Sequence, residues 1–148
     1  MKLTVDTREY VSHLKQLLED GNEVVVPIAG RSMEPFLRDQ RDRVLLKSPA
    51  DCPGVGDIVF YQRGSGQYVL HRIYKKTSDG WYMLGDHLTE PEGPIGTAAI
   101  FAVAVEVERN GRWISADSIL WRFAGTLWHL LYPVRASVRS LKRMLRRW

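Results

Sequence analysis

Apolar positions near the start of the chain recur with the spacing of one helical face. Between residues 6 and 20 they fall at i, i+1, i+4, i+7 and i+8, at Tyr10, Val11, Leu14, Leu17 and Leu18. Gly21 stands where it would end a helix. The pattern predicts a short amphipathic helix over residues 6–20. It is too short and too charged to cross a bilayer, for which about 20 mostly apolar residues are needed.

From residue 23 to residue 115 the pattern changes to that of β-strands. Short runs rich in Val, Ile, Tyr and Phe are mostly separated by Gly, Pro, Ser or Asp. These runs cover residues 23–29, 43–47, 57–62, 68–75, 81–84 and 99–109. They predict a mainly β fold, a compact antiparallel β core that follows the N-terminal helix.

After Ser118 the pattern is helical again, in two pieces that divide near Pro133. The first piece, residues 119–132, is apolar on most sides and is expected to pack on the β domain or a partner subunit, or to lie on a membrane. The second piece is amphipathic. One side carries Val134, Val138, Leu141, Met144, Leu145 and Trp148, and the other carries Arg135, Arg139, Lys142, Arg143, Arg146 and Arg147. The chain is therefore interpreted as a β domain over residues 1–118 and a basic amphipathic helical tail over residues 119–148.

Composition is that of one globular domain. The chain has 148 residues, of which 45% are hydrophobic and 10% aromatic. Cys52 is the only cysteine, which excludes an intramolecular disulfide and a cysteine-rich metal cluster. Charged residues interrupt each apolar run near the N-terminus, unlike a secretory signal, so we expect the chain to start and fold in the cytosol.

Charge is distributed unevenly along the chain. Seven of the 21 basic residues and none of the 17 acidic residues lie after Ser118, so the tail carries +7 and residues 1–118 sum to −3. A mildly acidic domain that ends in a strongly basic segment indicates an anionic surface as partner, either a membrane or nucleic acid.

Three polar residues at the edges of apolar strands supply the parts of a nucleophilic catalyst. Ser32 follows the first strand and a turn, where its hydroxyl can be presented. His71 lies on an apolar strand face, where a half-buried imidazole stays neutral and can accept a proton. Asp86 follows Gly85 at the end of another strand. They are candidates for the nucleophile, its base and the group that orients the base.

Each candidate also has an ordinary structural explanation. Ser32 suits a turn, His71 suits a core imidazole bonded to a backbone carbonyl, and Asp86 suits a turn residue that caps its own backbone. For Ser32 or His71 taken alone, the structural explanation is the better one. The remaining histidines are interpreted as surface or packing residues: His13, His87 and His129.

Five short motifs favour the catalytic interpretation of all three residues, because five ordered motifs are far more specific than any one of them. They are Ser-Met-Glu-Pro at 32–35, Asp-Arg-Val-Leu-Leu at 42–46, Gly-Asp-Ile-Val-Phe at 56–60, His-Arg-Ile at 71–73 and Gly-Asp at 85–86. Over about residues 24–105 the chain resembles the type I signal peptidases and their relatives, a superfamily that includes the self-cleaving SOS-response repressors. Histidine stands at the base position where most bacterial signal peptidases have lysine, so the sequence is most similar to the endoplasmic-reticulum-type branch.

The resemblance implies a signal-peptidase-like antiparallel β fold with Ser32 as nucleophile, His71 as general base and Asp86 as the acid that orients the base. The family's second acidic position, several residues after Gly-Asp, is met here by Glu90 or Glu92. The third member of the triad therefore stays open among these three acidic residues.

Two departures from the family pattern bear on mechanism and location. Gly30 stands where some relatives have a hydroxyl that helps to hold the oxyanion, which leaves that task to backbone N–H groups, chiefly that of Ser32. Family members usually have a transmembrane helix just before the serine motif, and here the short amphipathic helix stands in its place.

These observations predict a serine endopeptidase that cleaves a leader or signal-like segment from a precursor peptide, with residues 1–118 as the peptidase domain and with no metal or organic cofactor. By analogy with the family, the substrate is expected to bind as an added strand, with shallow pockets for small side chains near the cut. We expect a cytoplasmic protein held peripherally on the inner face of the membrane, with residues 134–148 on anionic lipid. An exporter or a partner subunit is a further candidate partner.

Two other classes of function remain as alternatives. A catalytically silent relative would bind peptide or membrane without cutting. A nucleic-acid-binding regulator would explain the basic tail, but the sequence shows no helix-turn-helix before the β domain and no aromatic stacking pattern on a basic sheet.

Overall fold

The structure is a computed structural model that describes residues 7–49 and 53–147. Cys52, Trp148 and the first residue of the predicted N-terminal helix, Asp6, lie outside the described residues.

The described chain is an antiparallel β-sheet flanked by helices, as the sequence predicts. The N-terminal helix α1 spans Thr7–Glu19. The strands are β1 Val24–Pro27, β2 Arg43–Lys47, β3 Ile58–Gln62, β4 Tyr68–Thr77, β5 Gly80–Leu84, β6 Glu92–Ile95, β7 Ile100–Arg109 and β8 Arg112–Ser115. Helices α2, Ile119–Leu130, and α3, Tyr132–Leu145, follow. Strands β6 and β8 have no counterpart among the predicted strands.

All strand pairs are antiparallel, and the order across the sheet is β1-β2-β7-β3-β4-β5-β6, with β8 paired to β7. Strands β1, β6 and β8 therefore each pair with one neighbour only and form edges of the sheet. Strand β6 reaches β5 only because residue 93 is a glycine. At Gly93 φ is +156°, and an added Cβ would lie 2.6 Å from the carbonyl oxygen of Trp81.

The sheet has a hydrophobic core on each face, because successive side chains of a strand point in opposite directions. Ile58 and Phe60 of β3 contribute to the larger core, which α1 and α2 cover. Val59 and Tyr61 contribute to the smaller one. This alternation decides which residues of β3 and β4 can meet.

Helix α1 places one apolar face on the larger core. Val11, Leu14 and Leu18 are buried, whereas Tyr10 and Leu17 of the predicted face stay nearly half exposed. Gly21, with φ of +85°, follows the helix in the left-handed conformation that glycine tolerates.

Helix α2 packs on the β domain, one of the alternatives left open for residues 119–132, while its side chains Ile119, Leu120, Phe123 and Leu130 stay exposed. Trp121 is buried in the larger core, and Gly125 lies so close to β4 that an added Cβ would be 2.8 Å from Nη1 of Arg72. The two helices divide at Leu131, and Pro133 lies in the first turn of α3, where its missing N–H costs nothing.

Helix α3 keeps the two faces that its sequence pattern predicts. Its apolar side chains Val134, Val138, Leu141, Met144 and Leu145 are all exposed. Within residues 7–49 and 53–147, none of the helices combines the length and the apolar character that a bilayer span requires.

Candidate active site

Ser32 lies on the turn that follows β1. Gly30 starts the turn with φ of +78°, and its N–H donates to Oδ2 of Asp39 over 3.1 Å. On the other side, the N–H of His87 donates to the carbonyl oxygen of Ser32 over 2.9 Å. The half-buried Ser32 uses neither its hydroxyl nor its own N–H in a hydrogen bond within the described residues. Both groups are therefore available to a substrate.

His71 lies in the middle of β4, with 2% of its surface exposed. The register pairs it with Val59 and pairs Val69 with Tyr61, so Tyr61 is its diagonal neighbour on the same face of the sheet. Nδ1 of His71 lies 3.2 Å from Oη of Tyr61 and 3.4 Å from Oε1 of Glu92.

The hydrogen bonds around Tyr61 determine which nitrogen of the imidazole carries the proton. The Tyr61 hydroxyl has one proton, and it donates that proton to Glu92. It can then only accept from His71, so Nδ1 is the protonated nitrogen and Nε2 keeps a free lone pair. Burial and the neighbouring Glu92 raise the pKa of Tyr61, so the phenol keeps its proton.

Glu92 is ionised and held in place from the opposite side by Arg63. Nε of Arg63 donates to Oε2 of Glu92 over 2.8 Å, and Nη2 donates to Oε1 over 2.9 Å. Partial burial acts to raise the pKa of Glu92, but the hydrogen bonds from Arg63 and Tyr61 outweigh it, and the pKa lies below its ordinary value. A fixed carboxylate thus faces the protonated side of the imidazole.

The imidazole itself is neutral near pH 7. Burial lowers the pKa of His71 below its ordinary value of 6.5, and the attraction of Glu92 offsets this only in part. A neutral imidazole with a free Nε2 is the form that can take a proton from a hydroxyl.

Asp86 does not contact His71, because its carboxylate forms an ion pair with Arg72. Nε and Nη2 of Arg72 donate to the two carboxylate oxygens over 2.9 and 2.8 Å, and both side chains are buried. The reason is the alternation of β4, which sends His71 and Arg72 to opposite faces. The expectation that Asp86 orients the imidazole is therefore not what the geometry shows. Of the three acidic candidates, Glu92 meets Nδ1, and Glu90 is exposed, with no hydrogen bond within the described residues.

Ser32 and His71 line one groove of about 550 Å³. Its walls are mainly apolar, and Tyr10 of α1 stands at its rim. The volume is in the range of small-molecule sites, larger than a pocket for one small side chain. The other lining residues are Val11, Val26, Pro27, Ile28, Ala29, Met33, Phe60, Arg63, Gln67, Tyr68, Val69, Leu70 and Leu88.

The described residues contain no group of three His, Cys, Asp or Glu side chains placed to hold a metal ion.

Sequence reasoning missed Tyr61 and Arg63. Tyr61 lies on β3 and Arg63 directly follows its last residue, so the strand alternation places both on the same side of the chain. That spacing could have identified them as neighbours. Their link to His71, however, depends on the register of β3 against β4, which the pattern of apolar positions does not specify.

Comparison with protein-family models, with curated proteins and with solved structures found no significant match to this chain.

The two carboxylates are expected to respond differently to removal of their charge. Asp86→Asn leaves a buried guanidinium without its counter-ion and should cost about 3 kcal/mol of unfolding free energy or more, measured by urea denaturation. Glu92→Gln, at a site that is 30% exposed, should cost less. It should instead lower the pKa of His71 in an NMR titration, because the charge that stabilises the imidazolium is gone. A larger pKa change in Asp86→Asn than in Glu92→Gln would return Asp86 to the role of orienting acid.

Proposed function

We propose that the protein is a serine endopeptidase that removes a leader or signal-like segment from a precursor peptide. The observation that carries the proposal is the state of the imidazole. His71 shares a groove with Ser32, it is neutral, and its Nδ1 side is occupied by Tyr61 and Glu92. Only Nε2 is left to act as a base. The five motifs of the signal peptidase pattern support the same assignment.

The proposed reaction begins when Nε2 of His71 takes the proton from the Ser32 hydroxyl. Oγ of Ser32 then attacks the scissile carbonyl, and the N–H of Ser32 donates to the developing oxyanion. The imidazolium returns its proton to the leaving amine, which releases one peptide fragment and leaves an acyl-enzyme. A water that His71 deprotonates hydrolyses the ester and restores Ser32. The missing hydrogen bond between Ser32 and His71 does not oppose this, because catalytic hydrogen bonds are often long before substrate binds.

In this mechanism Glu92 takes the role that the sequence analysis assigned first to Asp86. Its carboxylate stabilises the imidazolium that forms during attack, and Tyr61 lies between the two groups and keeps Nδ1 as the donor. Arg63 prevents the carboxylate from turning away. Asp86 then has a structural role, as the counter-ion of Arg72.

The proposed substrate is an extended peptide beside β1. This strand is an edge of the sheet, so a peptide can add to its free side by backbone hydrogen bonds. β1 leads directly into the turn that carries Ser32, so a peptide bound along it would pass the hydroxyl. The apolar groove would receive substrate side chains near the cut, and its walls suit apolar rather than charged ones.

We further propose that α3 binds the surface of an anionic membrane at the cytoplasmic face. Its apolar side chains are exposed in the absence of any partner, and basic side chains flank them. The cytoplasmic leaflet is negatively charged, and each basic residue near it contributes on the order of 1 kcal/mol. Cleavage would thus take place beside the membrane, where a precursor approaches its exporter.

Ser32→Ala and His71→Ala should each abolish cleavage of a precursor peptide, with a loss on the order of 1,000-fold or more and an unchanged fold. Ser32→Ala should also abolish covalent labelling by a fluorophosphonate probe. The matched control is Ser65→Ala, at an exposed serine of the turn between β3 and β4. A protein that binds peptides but never labels at Ser32 would be the catalytically silent relative.

The rate of cleavage should depend on pH through His71. Because burial lowers the pKa of His71, kcat/KM should rise through an apparent pKa below 6.5 as pH increases and the imidazole loses its proton. Glu92→Gln should shift this rise to still lower pH and reduce kcat. A rise that occurs only above about pH 9 would indicate a lysine base and contradict the assignment.

Membrane binding should be separable from cleavage, provided that the truncation spares Arg135. A deletion from residue 134 would remove Arg135, which donates to the carbonyl oxygen of Asp86 beside the site. Deleting residues 137–148 should abolish co-sedimentation with phosphatidylserine vesicles and preserve cleavage of a soluble peptide.

The charge dependence of this binding can be tested in the full chain. The double substitution Arg143→Glu and Arg146→Glu should weaken vesicle binding, and high salt should do the same. The control is a double charge reversal at two exposed lysines of β4, Lys75→Glu and Lys76→Glu. Binding that is equal for all variants would refute the membrane proposal.

A further inference from the structure

The loop between β5 and β6 supports the turn that carries Ser32. The N–H of His87 donates to the carbonyl oxygen of Ser32 over 2.9 Å, and the N–H of Leu88 closes the loop on Gly85 over 2.8 Å. Gly85 lies so close that an added Cβ would be 2.7 Å from the same carbonyl oxygen. A movement of residues 85–89 would therefore move Ser32.

Three side chains of the C-terminal helices hold this loop by its backbone carbonyls. Nε1 of Trp128 donates to the carbonyl oxygen of Asp86 over 2.7 Å, and Nη1 of Arg135 donates to the same oxygen over 2.9 Å. The hydroxyl of Tyr132 donates to the carbonyl oxygen of Thr89 over 2.6 Å. We refer to Trp128, Tyr132 and Arg135 as the loop anchor.

The loop anchor is itself a packed unit. The guanidinium of Arg135 lies over the Trp128 ring, 4.3 Å from its centroid, and Nη2 donates to the Trp128 carbonyl oxygen over 3.4 Å. The Trp128 ring also meets Phe36 edge-on at 6.0 Å. Phe36 belongs to the turn of Ser32, so the anchor touches that turn directly as well as through the loop.

We propose that Trp128, Tyr132 and Arg135 are positioning residues for Ser32. By fixing residues 85–89, they fix the His87 N–H that holds the Ser32 carbonyl, and so the distance of the Ser32 hydroxyl from Nε2 of His71. The inference rests on the proposed peptidase function. Its chemical basis is that a displacement of about 1 Å at a reacting group can cost on the order of 100-fold in rate.

Two conservative substitutions test the loop anchor with little change in packing. Trp128→Phe removes the indole N–H and keeps a ring against Phe36, and Tyr132→Phe removes one hydroxyl. In the double variant we expect faster amide hydrogen exchange at residues 85–89 and 31–33. We expect kcat for a precursor peptide, and the rate of fluorophosphonate labelling, to fall roughly tenfold to 100-fold. The pH midpoint of the His71 titration should not change, because neither group touches the imidazole.

Trp113→Phe is the matched control, at a partly exposed tryptophan of β8. If the double variant exchanges faster only at residues 85–89 and keeps its kcat, the loop anchor is structural and the proposal is wrong. If exchange does not change at all, the anchor does not hold the loop. Should the wild-type protein fail to label at Ser32, the peptidase proposal falls, and exchange at residues 31–33 still decides whether the anchor acts on the turn.

Discussion

The buried ion pair between Arg72 and Asp86 is the interaction on which this fold depends. Taking both charges out of water costs several kcal/mol per ion, and the bidentate geometry offsets this only while both partners stay in place. Nη1 of Arg72 also donates to the carbonyl oxygen of Gly56, just before β3. Helix α2 covers the pair at Gly125, where no side chain intervenes. One strand, two loops and a helix therefore meet at this ion pair, so α2 packs as part of the β domain.

The same pair explains why the site has a second carboxylate. Residues 71 and 72 are neighbours on one strand, and their side chains leave it on opposite faces. One face needs a counter-ion for a permanently charged guanidinium, and the other needs a carboxylate that keeps the Tyr61 hydroxyl turned to accept from a neutral imidazole. Asp86 fills the first need in full burial, whereas Glu92 meets the second at the partly exposed edge of the sheet. The two requirements differ in charge and in solvent access, so one carboxylate cannot serve both.

Sequence reasoning predicted the strands that carry the motifs, because their apolar alternation is strong. It did not decide which acidic residue orients His71, and the reason is physical. Glu92 begins β6, whose Glu-Gly-Pro-Ile sequence has almost no strand propensity and which pairs with β5 only because Gly93 tolerates close approach. The sequence also did not specify the ion-pair partner of Asp86. An aspartate that follows a strand end can turn to either face, and only the register of β4 against β5 decides which one.

In the C-terminal tail, the residue at which the net charge changes sign differs from the residue at which packing on the β domain ends. Charge changes sign at Ser118, but side chains continue to contact the β domain through α2 and as far as Arg135. Arg135 is one of the basic residues of the amphipathic pattern, but its guanidinium donates a hydrogen bond to the carbonyl oxygen of Asp86. In α3, the basic residues left for the anionic surface that we propose thus begin with Arg139, one helical turn further on. Because both segments belong to α3, the boundary between the part that contacts the β domain and the exposed part for which we propose lipid binding falls inside a single helix.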